Sequence, residues 1–199
     1  MYKITGLFFI ILLFGEVSYG QIEEQSAIEF QVELTEQYLN PEESPLRDKA
    51  PEFKGHDFFR IDSAYIVEAT FERTLNALPF QMKTTTGRLP IYEKYGEATF
   101  SIQGEKFSLS IYQSHFLRKT EEYKDHLFLP FNDSSNGHET YTGGRFIDLQ
   151  IPEGNTILID FNKAYNPFCA YAKGYSCPIP PEENQLPIAI LAGIKKPKE

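Results

Sequence analysis

The sequence predicts a mainly β protein: an antiparallel sandwich or barrel of about seven to ten strands, entered through one N-terminal amphipathic helix. Three observations carry this. After Ser63, apolar and polar residues alternate over several short segments, the period of a half-buried strand. Between Gln21 and Leu39 the apolar spacing is helical instead. The chain also carries 17 Phe and 12 Tyr but no Trp, a large apolar supply for a core.

At the N-terminus, Lys3 precedes an apolar run from Ile4 to Phe14, and Ser18 and Gly20 stand at positions −3 and −1 of a cleavage before Gln21. This is the layout of a secretory signal peptide over residues 1–20, with one β-rich domain following over 21–199. The run is expected as an isolated helix. It is shorter than the roughly 20 apolar residues of a membrane span; a retained N-terminal anchor is the alternative. No cysteine lies near the cleavage point, which excludes lipid modification there, and no later stretch spans a bilayer. The expected location is outside the cytoplasm, periplasmic or secreted.

The helix over Gln21–Leu39 places Ile22, Ala27, Phe30, Leu34 and Tyr38 on one face, and Asn40-Pro41 stops it. Residues 41–55 are rich in Pro and charge and read as an irregular lead-in. Strands follow: Tyr65, Val67, Ala69 and Phe71 alternate with Glu68, Thr70 and Glu72. Ala98, Phe100 and Ile102 lead to Gly104-Glu105 and then Phe107, Leu109 and Ile111, a hairpin pattern. Ile147, Leu149 and Ile151 alternate around Asp148 and Gln150, and Ile157, Ile159 and Phe161 around Asp160. The apolar run Ile188–Leu191 reads as a last strand.

The net charge of −9, with no basic cluster, does not suit nucleic acid or an anionic membrane. Cys169 and Cys177 are an even pair close in sequence, which in an oxidising compartment suggests a local disulfide. Free thiols, a nucleophile with a resolving thiol, and a metal pair completed by His115, His126 or His138 are the alternatives. No histidine stands at a recognised metal spacing, and no cofactor motif is present.

Turn-forming and functional residue types concentrate between Leu127 and Asn184. Four motifs stand there: Phe-Leu-Pro-Phe (128–131), Thr-Tyr-x-Gly-Gly-Arg (140–145), Asp-Phe-Asn-x-Ala-Tyr-Asn-Pro-x-Cys (160–169) and Cys-Pro-x-Pro-Pro-x-Glu-Asn (177–184). Together they resemble the signature of an uncharacterised bacterial family, domain of unknown function 1684. The resemblance is specific over about residues 115–193 and extends back over Ser44-Pro45-Leu46 and the strands near Tyr65. It implies a shared site or a shared scaffold, and no named reaction.

The candidate site is a polar pocket built by residues 133–184, binding a small molecule or a glycan. Arg145, after Gly143-Gly144, offers a planar fork to a carboxylate or phosphate, or else pairs with an internal acid behind a β-bulge. Alternation puts Asp160 and Asn162 on one face, to orient a ligand or water, or to cap a turn. Tyr165 and Asn166 would shape the rim. Glu183 and Asn184 follow the rigid Pro180-Pro181 pair, and Cys169–Cys177 would fix the loop that carries them. Asp160 and Glu183 are the catalytic candidates of a carboxylate hydrolase, with Asp133 and Glu139 behind them; a thiol hydrolase is the variant. A structural cell-envelope protein without a ligand is the third reading. If the pocket is real, Arg145 is expected within reach of Asp160 or Glu183.

Overall fold

The computed structural model describes residues 19–198, with side chains from Gln25 onward. The apolar run 4–14 lies outside the described residues. Helix α1 spans Tyr19–Leu39 and runs through the expected cleavage point. It buries Ala27 and Tyr38 and half-buries Phe30 and Leu34. Its outer face also carries exposed Ile28, Val32 and Leu39. Two side-chain bonds tie the helix down: Gln31 Nε2 donates to the Asn162 carbonyl at 3.0 Å and Lys163 Nζ to Ser26 Oγ at 2.7 Å. Among the described residues no helix is long and apolar enough to cross a membrane.

Seven strands form one antiparallel sheet curved into a half-barrel: β1 Ile66–Arg73, β2 Phe80–Gln81, β3 Ile91–Ile102, β4 Glu105–Ser114, β5 His126–Phe131, β6 Arg145–Gln150 and β7 Thr156–Asp160. Their order is β6-β5-β4-β3-β1-β7, and β2 pairs with the start of β3. The predicted β3–β4 hairpin forms with Ile102 opposite Glu105. Its two loop residues, Gln103 (φ 54°) and Gly104 (φ 83°), both take positive φ, the geometry that matches the twist of a tight hairpin.

Strand alternation divides the sheet's side chains between two layers. One face carries the main core, in which Ala69, Ile111, Leu127, Leu129, Phe131, Ile159 and Phe161 are buried from all solvent or nearly so. The other face carries a smaller aromatic layer of Tyr92, Tyr112, Phe128 and Phe146 with Met82. Burial of each large apolar side chain contributes about 1.5–3 kcal/mol, so both layers matter.

Two elements differ from the sequence reading. β5 is a strand where the sequence reads as a site segment, because Pro130 interrupts the strand pattern. Ile188–Leu191 is not a strand: it begins in a bend and passes beside the residues around Asp133. Its backbone bonds go to loop groups, Ser134 N to the Ile188 carbonyl at 3.1 Å and Ile190 N to Asp133 Oδ1 at 3.3 Å.

Candidate functional site

Arg145 opens β6 and is wholly buried, at 0 % exposure. Its Nη2 donates to Asp133 Oδ2 at 2.8 Å and to the Ile190 carbonyl at 2.7 Å. Its Nη1 donates to the carbonyls of Ala192 and, at 3.3 Å, Ile194. The acid it meets is Asp133, rather than Asp160 or Glu183 as expected, because β5 and β6 pair with Phe131 opposite Arg145 and so bring the residues just after β5 to the start of β6. Burial lowers the guanidinium pKa, and Asp133 offsets only part of that. Gly144 (φ 84°) permits the approach. A Cβ there would lie 2.6 Å from Asn132 Oδ1 and 2.8 Å from the Phe131 carbonyl.

Three other motif residues are spent internally as well. Asp160 Oδ1 accepts from the backbone N of Asn162 (2.9 Å) and from its Nδ2 (2.8 Å), capping the turn Phe161–Lys163. Asn162 is buried and grips the backbone of Asp62 with both ends of its amide, at 3.0 and 3.1 Å. Asn166 Nδ2 donates to the Tyr171 hydroxyl (3.0 Å) and the Lys195 carbonyl (2.9 Å).

Asn184 repairs the sheet. β4 and β5 pair at Tyr112–Phe128, and Pro130 brings no N–H toward Ser110 further along. The Asn184 amide fills that gap, accepting from Ser110 N and donating to the Ser110 carbonyl, both at 2.8 Å, and donating to the Pro130 carbonyl at 2.7 Å. It thus supplies the donor that proline lacks. Glu183 beside it points the other way, is exposed, and accepts from the Tyr112 hydroxyl at 2.8 Å.

The structure therefore brings Arg145, Asp160, Asn162, Asn166 and Asn184 into the frame and does not gather them in one pocket. The second-tier acids part likewise: Asp133 is buried with Arg145 and Glu139 is exposed. His115 pairs with Glu93 at 2.8 Å, and His126 with Asp148 at 2.9 Å. Among the described residues no group of three His, Cys, Asp or Glu could hold a metal ion. Cys169 and Cys177 form a disulfide, with Cα atoms 6.3 Å apart.

Of the expected site residues, Tyr165 and Cys177 line an open cleft, on the aromatic face of the sheet. It has a volume of about 700 Å³, within the range of small-molecule sites. Its floor is built from Tyr92, Phe128 and Phe146, with His126 and Asp148 beside them; Phe168 and Tyr175–Pro178 of the disulfide loop form one wall. That loop is pinned to residues 83–85: Thr85 N donates to the Cys177 carbonyl and Ile179 N to the Lys83 carbonyl, both at 2.9 Å. Two other depressions, about 550 and 690 Å³, lie along Phe59–Ser63 and the outer rows of β1 and β3 and hold no such aromatic layer.

A hydrogen-bonded chain runs along the cleft floor. The Tyr165 hydroxyl donates to Asp148 Oδ2 at 2.9 Å, and His126 Nε2 meets Asp148 Oδ1 at 2.9 Å. Asp148 keeps 47 % of its side chain exposed, so a carboxylate is held still and still presented to solvent. His126 Nδ1 is buried without a hydrogen-bond partner, which leaves the imidazole no open nitrogen for proton transfer with a bound molecule. Burial, then Asp148, holds the Tyr165 phenol far above its usual pKa, and burial raises that of Tyr92. Both stay neutral near pH 7. The arrangement can bind and orient. The sequence signal for Asp148 is its place between Ile147 and Leu149, on the face opposite the core.

Fold and cleft together define a mainly β half-barrel with a second aromatic layer under a disulfide-closed loop. The chain belongs to the family described as "Protein of unknown function (DUF1684)", whose model matches residues 51–195. It is similar to the uncharacterized protein from gene locus rrnAC0354 of Haloarcula marismortui, solved in solution by NMR. The two are 30 % identical with a TM-score of 0.68, over 88 % of this chain and 95 % of that one. No curated protein matches the chain.

Proposed function

We propose that this is an exported binding module, and that its ligand, a small molecule or glycan, enters the cleft between the aromatic face of the sheet and the disulfide loop. The observation that carries this is the anchored Asp148. A carboxylate fixed by Tyr165 and His126 in an aromatic floor is a convergent polar group on a rigid frame, the feature of small-molecule sites. The disulfide supports export, since such bonds persist in oxidising compartments. Tyr165 carries over from the expected pocket, and Arg145, Asn162, Asn166 and Asn184 serve as the frame that holds it.

One observation favours the ligand-free structural reading instead: the motif residues Arg145, Asn162, Asn166 and Asn184 are buried and bonded within the fold. A thermal-shift screen of neutral sugars, amino acids and small organic cations separates the two. A ligand at about a hundred times its Kd stabilises the folded state enough to raise the Tm by roughly 5–10 °C. The shift should vanish in Asp148→Ala, which empties the floor of its carboxylate. A screen without any shift leaves the structural reading.

A further inference from the structure

We propose that the cleft selects a small organic cation, an alkylated ammonium of the choline kind, seated between aromatic faces and the Asp148 carboxylate. This rests on the cleft being the ligand site and names the chemistry it takes.

The ring geometry is the first argument. Phe128 and Phe146 lie with centroids 4.8 Å apart at 66°, and Phe146 and Tyr165 5.9 Å apart at 86°. Tyr92 and Phe128 are 5.9 Å apart at 42°. A flat platform would suit the face of a sugar ring. These floor rings are packed edge to face and largely covered by one another, so they make no flat platform; the more exposed rings lining the cleft are Tyr123 and Phe168, on separate segments from the floor, which suits a compact cation attracted to ring faces.

Charge is the second. The Tyr92 and Tyr165 phenols are neutral near pH 7, so the floor's negative charge is that of Asp148. Its two oxygens are already held by Tyr165 and His126, so it meets a ligand without losing further freedom. An alkylated ammonium is weakly hydrated and gives up little water on entering an aromatic cleft. The chain's net charge of −9 raises the local concentration of cations and repels anions. Arg88 also lines the cleft, but it stands on an exposed loop with its guanidinium turned to the Ser176 carbonyl at 3.4 Å, where solvent screens it.

The test compares choline with 3,3-dimethyl-1-butanol, its uncharged isostere, by thermal shift and calorimetry on the full chain. Choline should raise the Tm in a dose-dependent way and the isostere should not. Asp148→Asn, which keeps the side chain's size and one acceptor oxygen and removes the charge, should weaken choline at least about tenfold. Arg88→Ala should bind choline no more weakly than the parent, because a like charge has gone. Equal shifts from both compounds, or clear weakening in Arg88→Ala, would overturn the cation and leave the cleft as a site for another ligand. A shift from sugars or amino acids alone would do the same. Silence across the whole screen would remove the cleft as a site altogether.

Discussion

Arg145 brings a charge into the interior, and the fold answers it with one carboxylate and three backbone carbonyls. Such a pair does little net good against a well-packed apolar replacement, but losing one partner is severe. Arg145→Ala strands Asp133 and three carbonyls at once, and should cost about 3–5 kcal/mol in urea denaturation. Arg145→Lys should also lose much of that stability, since a single ammonium cannot span the acceptors a planar fork reaches. Wild-type stability in Arg145→Lys would refute the buried-staple account. The sequence singled out Arg145, because two glycines before an arginine mark a close approach. It did not reveal the partner, because Asp133 meets Arg145 through the pairing of β5 with β6, and Pro130 hides β5 as a strand. Asn184 is similar: its neighbours Ser110 and Pro130 are far away in sequence, and only the missing N–H of Pro130 hints that something must fill in.

At the level of elements, helix α1 docks through an aromatic box in which His56 is central. Tyr38 of the helix meets the His56 ring at 4.4 Å, and the Tyr171 hydroxyl bonds His56 Nδ1 at 3.1 Å, with Phe53 and Phe58 closing the box. Burial pushes the His56 pKa down to about 4 from the usual 6.5. The unfolded chain therefore takes up a proton first as pH falls. The box's contribution is complete above about 6.5 and drains away toward about 4, by up to about 3 kcal/mol. Urea midpoints at pH 7 and 4.5 should differ more for the wild type than for His56→Gln; equal differences would exclude His56 as the source. The helix and most strands were legible, since periods of 3.6 and 2 are local properties. β5 was not, because Pro130 breaks the pattern that β6 supports from one side. The cleft was not legible either. Alternation shows that Asp148 leaves the core face, but it cannot say that Tyr92, His126 and Tyr165, from three other segments, meet it there.

For the molecule as a whole, the family signature marks the joints of the half-barrel more than its cleft. Four of its most specific polar residues, Arg145, Asn162, Asn166 and Asn184, hold loops and strands together. The disulfide closes a short loop and stabilises the fold by roughly 2–3 kcal/mol in the chain-entropy account. If the chain is exported, protein taken from its native cell should begin near Gln21, and alkylation under non-reducing denaturing conditions should label neither Cys169 nor Cys177. Recovery of Met1, or two labelled thiols, would contradict this. The Arg145 staple bears on the timing of synthesis. Asp133 precedes Arg145 in the chain, but the carbonyls that complete the Arg145 hydrogen bonds belong to Ile190, Ala192 and Ile194, so a growing chain holds the guanidinium only partly answered until those have been made. Packing around the start of β6 thus waits on residues made 45 to 49 positions later.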